Sequence, residues 1–307
     1  MPQSPKTRKM DAREEAEPAP LVHPLTERDS EREVLAFLAE RPVHTVVMSG
    51  LIRDNGLESP FNRGDFYACR GRAGALEGVA LVGHAVFVEA RSLGALKAFA
   101  ELAQAHRDAH MILGERATVS DFWGYYAPAG QPPRLFCREL LYEQQWPVAA
   151  GERVAGLRAA RLDDLALVLP VHAAMACAES GVNPLEADPQ GFRLRCARRI
   201  ESGRVWVLVE DDRLVFKADI ASDTPECVYV EGVYVAPASR RRRYGLRCLA
   251  QLGRHLLARA RVVSALVNEE NLPAQALLHK AGYKLRGHYD TIFLQRKGRE
   301  REEGFGC

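Results

Sequence analysis

The sequence has no apolar run long enough to cross a bilayer, and its opening stretch MPQSPKTRKMDAREEAEPAP mixes acids, bases and prolines where a secretion signal needs an apolar core. No membrane association is expected, and a cytoplasmic location is. Cysteine pairing is missing too: the 7 cysteines, Cys69, Cys137, Cys177, Cys196, Cys227, Cys248 and Cys307, are odd in number and never spaced CxxC. That argues against a disulfide framework and a thiolate zinc site, and it fits a reducing compartment. Nor is there an excess of charge of either sign. With 42 Lys and Arg against 40 Asp and Glu, no global field recruits nucleic acid or an anionic membrane, so any basic function is local. No metal site is expected either: His106 and His110 in HRDAH are one helical turn apart but lack the Glu of a zinc-protease helix and a third ligand.

What the chain does contain is enough apolar material, 47% of 307 residues, to bury two ordinary cores. Residues 1–20 and 294–307 are rich in charge and read as solvated tails. Between them WPVAAGERVAGLR, Trp146 to Arg158, has the small and polar residues of a linker, which gives expected domains at 21–148 and 153–293.

The second segment reads clearly. VWVLVE, LVFKADIA and CVYVEGVYV are short β-branched runs separated by turn residues, an antiparallel meander. Leu246, Leu249, Leu252, Leu256 and Leu257 recur at helical spacing, and VVSALV follows as a buried strand. NLPAQALLHKAG opens with a capping Asn271, carries Pro273 in its first turn and ends at Gly282. Two helical segments, DDLALVLPVHAAMACAES and PQGFRLRCARRIES, precede the meander, so a mixed α/β layer domain is expected. The first segment repeats that order more faintly from DFYACR to RLFCRELLYEQ, including VSDFWGYY, whose Trp123, Tyr125 and Tyr126 read as core aromatics.

One feature in the second segment is unusual. Between the strand ending at Val235 and the leucine-striped helix stand four arginines, Arg240, Arg241, Arg242 and Arg243, followed by Tyr244 and Gly245. A strand that feeds a helix leaves the helix's first N–H groups unpaired, and with the positive end of the macrodipole these form an anion site. Flanking arginines add charge-assisted donors, so a diphosphate is the expected guest, against the alternative of a solvated basic loop.

Val205 to Tyr283 resembles the GCN5-related N-acetyltransferase (GNAT) superfamily, whose acetyl-CoA signature is Arg or Gln, two residues, Gly, one residue, then Gly or Ala. Arg240 fills its first position and Gly245 its last, while Arg243 stands where the family has its first glycine. NEENLPAQALLHKAGYKLRG is similar to the family's later segment through Asn271, Ala274, Leu277, Gly282 and Tyr283, but Leu278 replaces the usual tyrosine acid. Further stretches, such as CAESGVNPL, FYACR and GVALVG, resemble a bacterial subfamily in which a divergent GNAT-like half precedes the transferase half.

The resemblance implies tandem GNAT-like domains, each a mostly antiparallel twisted sheet flanked by helices. It also implies acetyl-CoA as co-substrate, and acyl transfer to a primary amine of a small molecule or peptide by direct attack in a ternary complex. The alternative is a catalytically impaired acyl-CoA-binding regulatory or structural protein. Expected cofactor contacts are the main chain of Val233, Tyr234 and Val235, the joint from Arg240 to Gly245, Asn271 and Ala274. Gly232 reads as a bulge beside the thioester. Glu231, an acid within an apolar strand, is the expected base because burial would raise its pKa, against the alternative of a salt bridge to one of the arginines; Glu179 is the expected substrate contact, and Asp219 a weaker candidate. Tyr234, Tyr283, Tyr289 or water would replace the missing acid. The acceptor's identity and the oligomeric state stay open, and the first half is not expected to bind CoA.

Overall fold

A computed structural model describes residues 21–149 and 153–295. The tail at 1–20 and all of 294–307 beyond Gln295 lie outside the described residues, while Leu294 is buried at the end of the last strand. The first half runs β1 (Leu21–Pro24), α1 (Glu31–Leu38), α2 (Val46–Asn55), β2 (Gly64–Arg70), β3 (Leu76–Gly83), β4 (Ala85–Ala90), α3 (Leu93–Ala105), β5 (Met111–Glu115), α4 (Arg116–Tyr126) and β6 (Pro133–Gln144). The second runs β7 (Arg158–Ala159), α5 (Leu165–Ser180), α6 (Pro184–Ala187), α7 (Pro189–Glu201), β8 (Val205–Glu210), β9 (Arg213–Asp223), β10 (Cys227–Val235), α8 (Tyr244–Leu257), β11 (Val262–Asn268), α9 (Leu272–Lys280) and β12 (Lys284–Leu294).

Local chemistry explains the element ends. Asn271 caps α9 by accepting from Ala274 N at 3.1 Å, Pro273 sits in its first turn, and Gly282 follows at φ +91°. Ser92 caps α3 in the same manner. Period-two alternation sorts the strands' side chains. Phe66 and Ala68 of β2 join one core with α1 and α2, whereas Cys69 joins the core under α3 and α4.

Among the described residues the strands form one twelve-stranded sheet in the order β1-β2-β3-β4-β5-β12-β6-β11-β10-β9-β8-β7. The two halves exchange their last strands: β12 pairs antiparallel with β5, and β6 pairs antiparallel with β11. The exchanged strands pair with each other, and Glu139 faces Tyr289 at the centre. Helices α3, α4, α8 and α9 cover one face, and α1, α2, α5 and α7 the other.

Helix α2 of the first half lies over strands of the second. Ser222 Oγ donates to Val46 O, Arg204 forms a bidentate pair with Asp54 at 2.6 and 2.7 Å, and the Arg198 guanidinium sits 3.6 Å above the Phe61 ring. Gly50 permits this approach, since a Cβ there would fall 1.9 Å from Ser222 Oγ.

Candidate active site

The parallel strands β10 and β11 pair only from Cys227↔Val262 to Tyr229↔Ser264. Beyond that point β10 stays with β9 and β11 with β6, so a cleft opens between them. At its start β10 carries a bulge: Glu231 faces Asp219 and Tyr234 faces Lys217, leaving Gly232 and Val233 opposite the single residue Ala218. Gly232 has φ +60°, and a Cβ there would lie 2.7 Å from Asp219 Oδ2 and 2.9 Å from Lys217 Nζ, so both conformation and space demand glycine. Val233, Tyr234 and Val235 run along the cleft from the bulge.

The arginine joint lies at the far end of β10. Arg240 to Arg243 are exposed, and Arg240 Nε donates to Val235 O at 3.2 Å. Arg241 and Arg243 have φ +61° and +64°, the left-handed region in which glycine is at ease. Arg243, which stands at the glycine position of the GNAT signature, therefore keeps a glycine-like backbone. It is the N-cap of α8 without a side-chain capping bond, and no acid occupies the first turn. Tyr244 OH donates to Glu210 at 2.9 Å. Gly245 is buried where α8 crosses β10, and a Cβ there would sit 3.0 Å from Val235 Cγ2.

On the sheet face opposite α8 lies a cavity of about 340 Å³, lined by strands of both halves and by the segment leading into α2. Glu179 from the end of α5, Glu231 and Glu139 line it, as do Arg199 from α7 and Tyr229, Ser264 and Leu266 from the parting strands. The far side carries Arg41, which bonds both Glu89 and Glu115. Among the described residues no group of His, Cys, Asp and Glu side chains is arranged to hold a metal ion.

The carboxylates differ in electrostatics. Glu179 is open to the cavity but enclosed by protein, and burial together with the charges of Glu231 and Glu139 pushes its carboxyl up to about 7. Burial alone would push Glu231 up, but Arg199 Nη1 donates to its Oε1 at 2.7 Å, and the opposed charge holds it below the ordinary glutamate value. The rise expected for Glu231 is thus reversed by a partner on α7, and the group raised into the neutral range is Glu179. Burial raises Glu139, which accepts from Thr291 Oγ1. Burial also drives His172 down to about 4, so it is neutral at physiological pH.

Of the three tyrosines considered as acids, Tyr289 faces the cavity and its OH bonds His44 Nδ1 at 2.7 Å. Tyr283 is buried in the core beside α8 and α9, and Tyr234 packs against the cluster under α5 and α7. Leu278 is 5% exposed and belongs to the core, so the family's usual acid has a packing residue in its place. Asn271 acts as a helix cap, and Ala274 supplies the capped amide. Sequence reasoning missed Arg199, Glu139 and His44. The first sits in an ordinary basic helix face, and the other two come from the half that lacks the joint.

Residues 172–283 match the Acetyltransferase (GNAT) family. No curated protein matches the chain. Among solved structures, a tandem GNAT protein from the clavulanic acid biosynthesis pathway has a TM-score of 0.57 at 16% identity and covers 92% of this chain and 100% of its own. A Drosophila protein aligns with a TM-score of 0.66 at 12% identity over 91% of this chain and 100% of its own. A GNAT-family acetyltransferase from Colwellia psychrerythraea aligns with 0.54 at 13% identity, over 90% and 100%. At these identities the likeness is one of fold. Residues 172–283 thus form a GNAT-family domain, in a chain whose overall fold is that of a tandem GNAT protein.

Proposed function

We propose that the protein is an acetyl-CoA-dependent N-acyltransferase acting on a primary amine in a ternary complex. The observation that carries this reading is the parting of β10 from β11, which joins the arginine-rich start of α8 to the carboxylate-lined cavity. The amides at Arg241 to Gly245, with four guanidinium groups around them, suit a diphosphate, and the unpaired edge of Val233 to Val235 suits the amide groups of a pantetheine arm. The thioester carbonyl then meets the bulge, where a backbone N–H can hold the developing oxyanion.

An alkylammonium has a pKa of about 10.4 and must lose a proton before it attacks. Glu179, half ionised near pH 7, is the group suited to take it. Glu231, paired with Arg199, stays ionised and favours a cationic acceptor. As the C–N bond forms and the C–S bond breaks, the attacking nitrogen gives up its second proton and the thiolate takes one up, with Tyr289 the available phenol in the cavity to relay it. The first half takes no CoA on this reading. Its matching helix start at α3 is closed by the Ser92 cap, whose Oγ donates to Glu77 at 3.1 Å, an acid where a phosphate would sit.

The core position of Leu278 favours the second reading, an acyl-CoA-binding protein without turnover. Calorimetric titration with acetyl-CoA, followed by a thiol-release assay over a panel of amines, separates them. Saturable binding near one per chain with release of free CoA supports the enzyme. Binding without release supports the second reading, and no binding at millimolar acetyl-CoA overturns both.

A further inference from the structure

Beneath the bulge lies a polar group for which packing gives no reason. Lys217 and Asp219, two apart on β9, project to the same side and are 0% and 1% exposed. Lys217 Nζ donates to Asp219 Oδ2 at 2.6 Å and to the carbonyl of Gly232 at 3.2 Å. Asp219 Oδ2 is also 3.7 Å from Arg199 Nη1, the group that bonds Glu231, and 3.6 Å from His172 Nδ1. Its second oxygen, Oδ1, has no hydrogen-bond partner among the described residues. Burying an ion pair costs more desolvation than a well-packed apolar pair of similar volume, so this pair is poor as a stability device.

Geometry gives it another use. In a trans peptide the C=O of one residue and the N–H of the next point in opposite directions. The bond from Lys217 fixes the Gly232 carbonyl, and so it turns the Val233 N–H away from the ion pair. Neither Gly232 nor Val233 has a register partner on β9, and β11 has already parted, so no ladder fixes this peptide plane. Glycine at φ +60° is conformationally permissive, and without an external anchor the plane is free to rotate. We infer that Lys217, held in place by Asp219, is a positioning residue that sets the Gly232–Val233 peptide so that the Val233 N–H is presented to the thioester oxyanion. This inference rests on the acyl-transfer reading above. Lys217 acts through the backbone, and the same Asp219 ties the bulge to the Arg199–Glu231 pair at the cavity wall.

The test is the double variant Lys217→Met, Asp219→Leu, which removes both charges together and so leaves neither one buried alone. Two readouts are taken: steady-state kinetics with acetyl-CoA and an accepted amine, and the Val233 amide resonance and its hydrogen exchange in nitrogen-15-labelled protein. The expected result is a kcat lowered about 10- to 100-fold, both KM values within about threefold of wild type, a melting temperature no lower, and a displaced Val233 amide. An unchanged kcat overturns the inference whatever the amide does, and so does a loss confined to KM. If the wild-type protein turns over no amine, the acyl-transfer reading fails separately, and the amide alone decides: a displaced resonance supports the anchoring of the peptide, and an unmoved one overturns it. Should the double variant not fold, Gly232→Ala crowds the same anchor from the other side, and a retained wild-type kcat there is equally fatal.

Discussion

Glu179 is the residue whose environment makes the sharpest claim. Its carboxyl is raised from the ordinary 4.5 to about 7, because of burial and the facing charges of Glu231 and Glu139. The consequences for rate and stability have opposite signs. If Glu179 is the base proposed above it must be ionised, so kcat/KM should rise with pH through about 7, and Glu179→Gln should lower it about 100- to 1,000-fold and abolish that limb. For stability, the folded carboxyl keeps its proton up to about 7 while the unfolded one releases it near 4.5, so stability present below 4.5 is lost as pH rises towards 7. Glu179→Gln cannot ionise. Its melting temperature should therefore exceed wild type at pH 8 and match it at pH 4, and thermal scans at the two values check the sign. The acid in CAESGVNPL could be read from sequence as a helix-end group near an entrance. Its raised pKa could not, because two of the causes, Glu231 and Glu139, arrive on strands from different halves. The same holds for Glu231: its apolar strand neighbours suggested a raised carboxyl, and the guanidinium that reverses the shift comes from a helix about thirty residues earlier.

Among the elements, the joint between β10 and α8 shows how a signature can be kept in backbone and lost in side chain. Arg243 holds the left-handed conformation at a cost of roughly 1–2 kcal/mol for a residue with a Cβ. If its amide is the functional part, Arg243→Gly should bind acetyl-CoA within about threefold of wild type and be no less stable. Arg243→Val, β-branched and unsuited to positive φ, should be less stable than Arg243→Gly by about 1–2 kcal/mol and should weaken binding at least tenfold. Calorimetry and denaturant melts on the two variants check this; equal binding by Gly and Val would show that the joint's backbone is irrelevant to the cofactor. The strands and helices from Val205 to Tyr283 were legible because each has a clean period and its own punctuation, such as Pro273 and Gly282 around α9. Helices α1 and α2 were not singled out. Helix α1 is only about two turns long, too short for its period to stand out, and α2 carries Ser49 and Gly50 in its middle, chosen for contact with Ser222 rather than for helix propensity.

At the scale of the whole molecule, the exchange of β6 and β12 decides how the halves depend on each other. Alternating patterns in RLFCRELLYEQ and KLRGHYDTIFL identify two strands but say nothing about which neighbour each will choose, because period two specifies a face and not a partner. Either half alone lacks the strand that lies against its own fifth: β5 loses β12, and β11 loses β6. Each would also expose half of the cavity, since Glu139 and Tyr289 meet across the exchanged pair. A chain cut within 150–152 should therefore yield fragments that are insoluble or self-associate when made separately, with open edges that invite pairing. When co-expressed they should assemble one to one and recover acetyl-CoA binding. The intact chain should melt in a single transition, with near-ultraviolet and far-ultraviolet circular dichroism coincident. Either fragment standing alone as a monomer with its own cooperative melt would mean that the exchange is dispensable, and that the continuous sheet does not couple the cavity to the cleft between β10 and β11.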